Sequence, residues 1–266
     1  MMLNKFRSRS IFHLFKALSF QLLAISLFSC AKTSNSNANK SYVALTHVAY
    51  GVGPLNLFLD GDSLLPAPVS FSNTSGTPGY PYDTTTSRVD FMQLIQGSNT
   101  LLGGNSAFQQ GTHYSIFAYD TLDERTISLI ILQDNPSFRT DTIVNIRFLN
   151  FSPSSQIGIK LIYKHDTTIR DTINIMVRDT VIIPLSLFVG YNPNPALYTF
   201  NYNAHVGINQ VFAYIDSAGP RSDGSNIKKL DSLQFDISKS YNIYLQGYFD
   251  STSAQNKLQI KSVQLN

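Results

Sequence analysis

The sequence predicts an all-β protein, and three observations carry that prediction. Strand-forming residues are plentiful, with 14 Tyr and 18 Phe beside many Val, Ile and Thr, whereas Glu124 is the sole glutamate among 17 acidic residues. Helices favour Glu, Lys, Ala and Leu, while Asp, Asn, Ser and Gly favour turns. Beyond the N-terminal apolar segment, no stretch sustains the i, i+3, i+4, i+7 pattern of an amphipathic helix, and period-two segments are easy to find. In "TINIMVRDTV", Ile173, Ile175 and Val177 alternate with Asn174, Met176 and Arg178. In "HYSIFAYD", Tyr114, Ile116 and Ala118 alternate with Ser115, Phe117 and Tyr119.

Taken in chain order, residues 1–29 stand apart. Lys5, Arg7, Arg9 and Lys16 make a basic start, and Ala17 to Ser29 is apolar apart from small or amide side chains. That run is too short to cross a bilayer core, which needs roughly 20 residues, and a charged segment followed by such a run is the pattern of a secretory signal peptide. It stops at Cys30, the only cysteine, so no disulfide can form within the chain. A buried structural cysteine and an uncleaved membrane helix are the competing readings. "LFSC", Leu27 to Cys30, resembles the lipobox of bacterial lipoproteins. The resemblance implies cleavage before Cys30 and a diacylglycerol on its sulfur. One acyl chain holds only marginally, so several are needed for stable anchoring. The expected location is therefore outside the cytoplasm, fastened to the bacterial outer membrane or cell envelope through Cys30, with the occupied face left open. Residues 30–41, which include "AKTSNSNANK", read as a flexible tether.

Removing that leader changes the charge. The whole chain carries 20 basic and 17 acidic residues, and the leader holds four of the basic ones and no acid, leaving 16 − 17 = −1. The basicity belongs to the targeting segment, so nucleic acid is not an expected partner.

About 225 residues follow the tether, enough for one large β domain or two ordinary ones. "NLFLDGDSL" runs through Asp60-Gly61, a hairpin signal because Gly tolerates positive φ. "YVALTHVAYGVGPLNLFLDGD", from Tyr42, is echoed by "IVNIRFLNFSPSSQIGIKLIY", from Ile143, and "GTHYSIFAYDT" by "SKSYNIYLQGYFDS". Two copies of one module explain this order: residues 42–138, then a longer copy over 139–266, with the boundary near "QDNPSFRT". The excess of the second copy is placed in "KHDTTIRDTINIMVRDTVII" and "VGYNPNPALY". Short strands with turns at this spacing predict two tandem immunoglobulin-like antiparallel β-sandwiches. Tyr114 and Tyr241 are either tyrosine corners, each hydroxyl bonded to backbone a few residues upstream, or ordinary strand tyrosines.

"HVAYGVGPLNLFLDG", His47 to Gly61, resembles the opening of a domain-of-unknown-function family found in tandem in bacterial cell-envelope lipoproteins. That opening runs His or Asn, Ser-Pro, then a Pro before a strand ending Asp-Gly. His47, Pro54, Asp60 and Gly61 fit, Ala49-Tyr50 replace Ser-Pro, and "NFSP", Asn150 to Pro153, fits in the second copy. "QGSNTLL" and "QGTHYSIFAY" resemble the family's later Gly-Ser/Thr turns. The resemblance implies an exported β-sandwich and brings no catalytic residues with it.

Chemistry has little local signature. There is no Gly-x-Ser-x-Gly elbow, "GPRSDG" having one residue too many, and an acylated Cys30 leaves no thiol. His47, His113, His165 and His205 lie 66, 52 and 40 residues apart, so no zinc spacing appears. Asp60, Asp62 and the pairs Asp166-Thr167, Asp171-Thr172 and Asp179-Thr180 lack the alternating calcium loop. A sole glutamate without a fixed-spacing acidic motif argues against a glycosidase, and "LLGGNS" lacks the Lys of a P-loop. Binding is easier to place. "SGTPGYPYDTTTSR" presents Tyr80 and Tyr82, and "VGYNPNPALYTFNY" presents Tyr191, Tyr198 and Tyr202, rings suited to sugars or protein partners but equally to packing loops onto the sandwich. The expectation is a non-catalytic binding or structural lipoprotein without cofactor or metal. The alternatives are a glycan-binding accessory protein using those tyrosines and, behind it, a hydrolase.

Overall fold

A computed structural model describes residues 40–75, 83–86, 89–120, 126–134, 142–153, 156–169, 173–186, 189, 193–215, 227–248 and 257–265. Eight strands come first: β1 (Lys40–His47), β2 (Leu55–Leu59), β3 (Asp62–Ser63), β4 (Asp83–Thr86), β5 (Val89–Gln96), β6 (Asn99–Ala107), β7 (His113–Asp120) and β8 (Ile127–Asp134). Eight more follow: β9 (Ile143–Phe151), β10 (Ile157–Ile169), β11 (Ile173–Ser186), β12 (Tyr202–His205), β13 (Gly207–Tyr214), β14 (Ile227–Phe235), β15 (Ser240–Gln246) and β16 (Gln259–Leu265). The all-β expectation holds.

The strands form four sheets, ordered β3-β2-β5-β6, β4-β1-β7-β8, β12-β9-β15-β16 and β11-β10-β13-β14. Adding eight to each label of the first two sheets reproduces the last two. Pairing is antiparallel except between β1 and β7 and between β9 and β15, which run parallel. This is a sandwich architecture whose pairing departs from the immunoglobulin arrangement expected from the strand spacing. In that arrangement the first two strands are neighbours in one sheet. Here β1 and β2 lie in different sheets, and β1 instead takes a place beside β7. Strand spacing reports how many short strands exist and does not report which edges meet.

The β2–β3 hairpin turns at Asp60 and Gly61, with φ of 50° and 88°. A left-handed pair of central residues matches the twist of the flanking strands. Asp60 adds a tie of its own, its carboxylate accepting the Phe91 N–H at 2.7 Å. Tyr114 and Tyr241 both make the upstream bond of a corner. The Tyr114 hydroxyl accepts the Gln109 N–H at 2.9 Å, and the Tyr241 hydroxyl accepts the Asp236 N–H at 2.7 Å. Each ring also meets a phenylalanine six residues earlier, Phe108 at 5.2 Å and Phe235 at 4.8 Å.

Three apolar clusters separate the four sheets. Leu55, Leu57 and Leu94 face Val43, Leu45, Ile116 and Ala118 inside the first sandwich. Ile146, Phe148 and Ile243 face Ile157, Ile159 and Val211 inside the second. The third cluster joins the inner sheets to each other: Ala44, Phe117, Tyr119, Ile130 and Leu132 meet Leu149, Phe151, Tyr244, Val263 and Leu265. The order is therefore outer sheet, two inner sheets, outer sheet, within one compact unit spanning residues 39–266. This explains why "HYSIFAYD" alternates without a solvent face: Tyr114, Ile116 and Ala118 enter one core, and Phe117 and Tyr119 enter another. Every residue of β15 is buried for the same reason.

Candidate functional site

Cys30, Tyr80, Tyr82 and Tyr191 lie outside the described residues. Tyr198 follows a single 3-10 turn, Pro195–Leu197, started by Asn194, whose side chain accepts the Ala196 N–H at 3.1 Å. The turn lies against β8, and Tyr198 and Phe200 pack onto the cluster between the inner sheets. Burial pushes the Tyr198 hydroxyl up to about 12, with the neighbouring Tyr119 adding to the rise. Tyr202 sits on β12, partly buried against the second sandwich core. The described part of this tyrosine segment thus packs against β8, the junction of the inner sheets and the second core.

The histidines are dispersed. His47 ends β1 fully buried, His113 opens β7 stacked on Tyr42 at 4.6 Å, and His205 ends β12 stacked on Tyr163 at 5.1 Å. Among the described residues no group of three or more His, Cys, Asp or Glu could hold a metal ion. The His47 Nε2 lies 3.1 Å from the Gly53 carbonyl and 3.3 Å from that of Val52. The Ala49 N–H points at Nδ1, 3.3 Å away. Carbonyls only accept, so this network places the proton on Nε2 and leaves a neutral ring. Burial lowers the His47 pKa, and the two carbonyl bonds oppose that shift without cancelling it. Asn150 occupies the matching place on β9, as the β1–β7 and β9–β15 registers show. Its Oδ1 accepts the Ser152 N–H at 2.9 Å and its Nδ2 donates to the Ser186 carbonyl at 2.8 Å. Each side chain accepts the backbone N–H two residues on and donates to a carbonyl, which lies in the following loop for His47 and at Ser186, the end of β11, for Asn150.

A second polar group is buried between the inner sheets. Arg147 on β9 donates to Asp134 on β8 at 2.6 Å and to the Gln133 carbonyl at 2.7 Å, and its guanidinium lies 4.3 Å from the centre of the Phe200 ring. Ser115 donates to the other Asp134 oxygen at 2.7 Å, and Asn242 donates to Ser115 at 2.8 Å. A buried charge is tolerable only when paired and hydrogen-bonded, and here both conditions are met across the junction. Gln246 adds a further tie, donating to Ser72 at 2.7 Å. The sequence signal was visible but unread: Arg147 interrupts the apolar run "IVNIRFLNF", and an isolated cation in a buried strand needs an anion.

The surface offers one further feature. A groove of about 360 Å³ lies along β14 and β16, lined by Lys229, Leu230, Asp231, Lys257, Leu258, Gln259, Ile260 and Lys261. Leu258 and Ile260 belong to the second core and are 2% and 4% exposed, so they close the groove from beneath, with the half-buried Leu230 beside them. Lys229, Lys257 and Lys261 are exposed around it. Each strand is the last of its sheet.

No curated protein matches the chain. A crystal structure from Bacteroides eggerthii, described provisionally as a cell adhesion protein, aligns at 11% identity over 87% of this chain and 98% of that one, with a TM-score of 0.21. Residues 41–156, the first eight strands and β9, match the family described as Domain of unknown function (DUF4397).

Proposed function

We propose that the chain is a lipid-anchored cell-envelope protein that acts as a non-catalytic binding or structural module. In this reading residues 1–29 direct export, Cys30 carries the lipid, and residues 30–41 hold the folded part off the membrane. The C-terminal eight strands are then a second, longer copy of the N-terminal eight. The order of the four sheets supports that duplication, because each strand has a counterpart eight places on.

One observation carries the functional reading. The buried polar side chains described above are engaged in holding backbone or in joining the inner sheets, as Arg147, Asp134, Ser115 and Asn242 do. Groups used in this way serve a rigid scaffold, and recognition falls to edges and loops carried on it.

The test is metabolic labelling of cells expressing the full chain with an alkyne analogue of palmitate. The wild-type protein is expected to take up label and to sediment with membranes, and Cys30→Ala to lose both. Label retained by Cys30→Ala, or wild-type protein found unlabelled in the cytosol, overturns the anchor.

A further inference from the structure

We propose that the groove along β14 and β16 is a docking site for an extended, acidic polypeptide segment. The inference gives a partner class to the binding role above and is independent of the lipid anchor.

Three features select that occupant together. First, β16 closes the order β12-β9-β15-β16 and β14 closes β11-β10-β13-β14, and among the described residues no strand pairs with the outer side of either. A free strand edge presents alternating N–H and C=O groups, which a polypeptide can match by adding a strand. Second, Leu230 is only half-buried where it packs on the second core beside Leu258 and Ile260, so one side chain of an added strand has apolar surface to meet. Third, Lys229, Lys257 and Lys261 line the rim against the single carboxylate of Asp231. A chain that is nearly neutral once residues 1–29 are set aside has concentrated cations here, and acidic side chains are their complement.

The first eight strands supply an internal control. The β7–β8 and β15–β16 registers align Tyr114 and Gln133 with Tyr241 and Gln264, so Lys257 and Lys261 fall where β8 has Thr126 and Ile130. Ile130 is buried, and the Pro195–Leu197 turn, with Tyr198 and Phe200, covers that side of β8. Among the described residues nothing of the kind lies against β16. The two lysines are therefore not demanded by the shared framework. They appear on the strand whose counterpart the chain itself covers.

The experiment uses the full chain purified in detergent and a fluorescein-labelled peptide of alternating Glu and Val. A Lys-Val peptide, vesicles containing phosphatidylglycerol and polygalacturonate serve as alternative probes. The expected result is saturable binding of the acidic peptide that weakens with salt, with slowed amide exchange in β14 or β16. Lys257→Glu with Lys261→Glu should weaken it about tenfold or more while leaving the thermal midpoint in place. Lys257→Arg with Lys261→Arg should keep it. Binding that ignores the charge reversal, or that leaves amide exchange in both strands unchanged, overturns the proposal. So does capture of vesicles or polygalacturonate through these lysines without the peptide. Labelling of Cys30 is read separately, so failure here and failure of the anchor are distinguishable.

Discussion

The first and second sets of eight strands are built to one plan but finish their outward faces differently. Inside each sandwich the matching positions do matching work. Tyr114 and Tyr241 cap the backbone before their strands, and His47 and Asn150 each accept the backbone N–H two residues on. Facing the junction, the chemistry diverges. Arg147 and Asp134 form a buried ion pair, whereas their counterparts by register are Ala44 and Leu265, which lie in the apolar cluster. The hairpin of β2 and β3 has strands of five and two residues, and that of β10 and β11 has strands of 13 and 14. Backbone groups must be satisfied wherever a turn is buried, which holds those positions to a narrow chemistry. Side chains that meet another surface answer to that surface, and so they are where the two halves separate.

The sharpest way to break this comparison is at the ion pair. Arg147→Ala leaves the Asp134 carboxylate buried without its cation and is expected to cost about 3–5 kcal/mol in urea denaturation. Arg147→Met combined with Asp134→Leu adopts the apolar solution of the counterpart positions and should recover most of that loss. If the double variant is no more stable than Arg147→Ala, the pair is not interchangeable with its counterpart. Next in size, His47→Leu removes both the donor and the acceptor from the loop after β1 and should cost about 2–3 kcal/mol. His47→Asn, which copies Asn150, should cost about half as much. Chemical unfolding of the two variants in parallel decides whether the equivalence is real.

The same histidine predicts a pH effect. Its folded pKa lies below the ordinary 6.5 because of burial, so the unfolded chain takes up a proton first as pH falls. The His47 contribution is thus complete above 6.5 and is lost as pH drops from there through the folded value. His113 is lowered in the same sense, its burial outweighing the opposing pull of Asp134. Denaturation midpoints at neutral pH and near pH 5 should therefore differ more in the wild type than in His47→Asn, with some slope remaining. The smallest effects are expected at the corners: Tyr114→Phe and Tyr241→Phe each remove one acceptor for a backbone N–H and should cost about 1 kcal/mol, by nearly equal amounts. Unequal costs would show that the two corners carry different loads.

Much of the framework is legible in the sequence. Asp60-Gly61, Tyr114 and Tyr241 were read from turn chemistry, which is local and needs no knowledge of neighbours. The parallel placement of β1 beside β7 was not legible, because nothing in either strand names its partner. The junction was hidden for a related reason. Alternation in "HYSIFAYD" looks the same whether the second face meets water or another sheet, and only the apolar character of Phe117 and Tyr119 hinted at the latter. The tyrosines of the segment 191–202 were read as presented rings, but a ring suited to a ligand is equally suited to an internal face, and Tyr198 lies against one. The lysine groove was missed because Lys229, Lys257 and Lys261 come from separated stretches that only the sandwich brings together.

At the junction, positions that correspond in the two halves touch one another: Asn242 bonds Ser115, and Tyr244 meets Phe117 with ring centres 5.6 Å apart. A surface whose matching points face each other is self-complementary, and such a joint is saturated by two partners. The pair is therefore closed in valence. Among the described residues the faces of the inner sheets are occupied by one another, which leaves the outer sheets and the strand edges as the remaining surface.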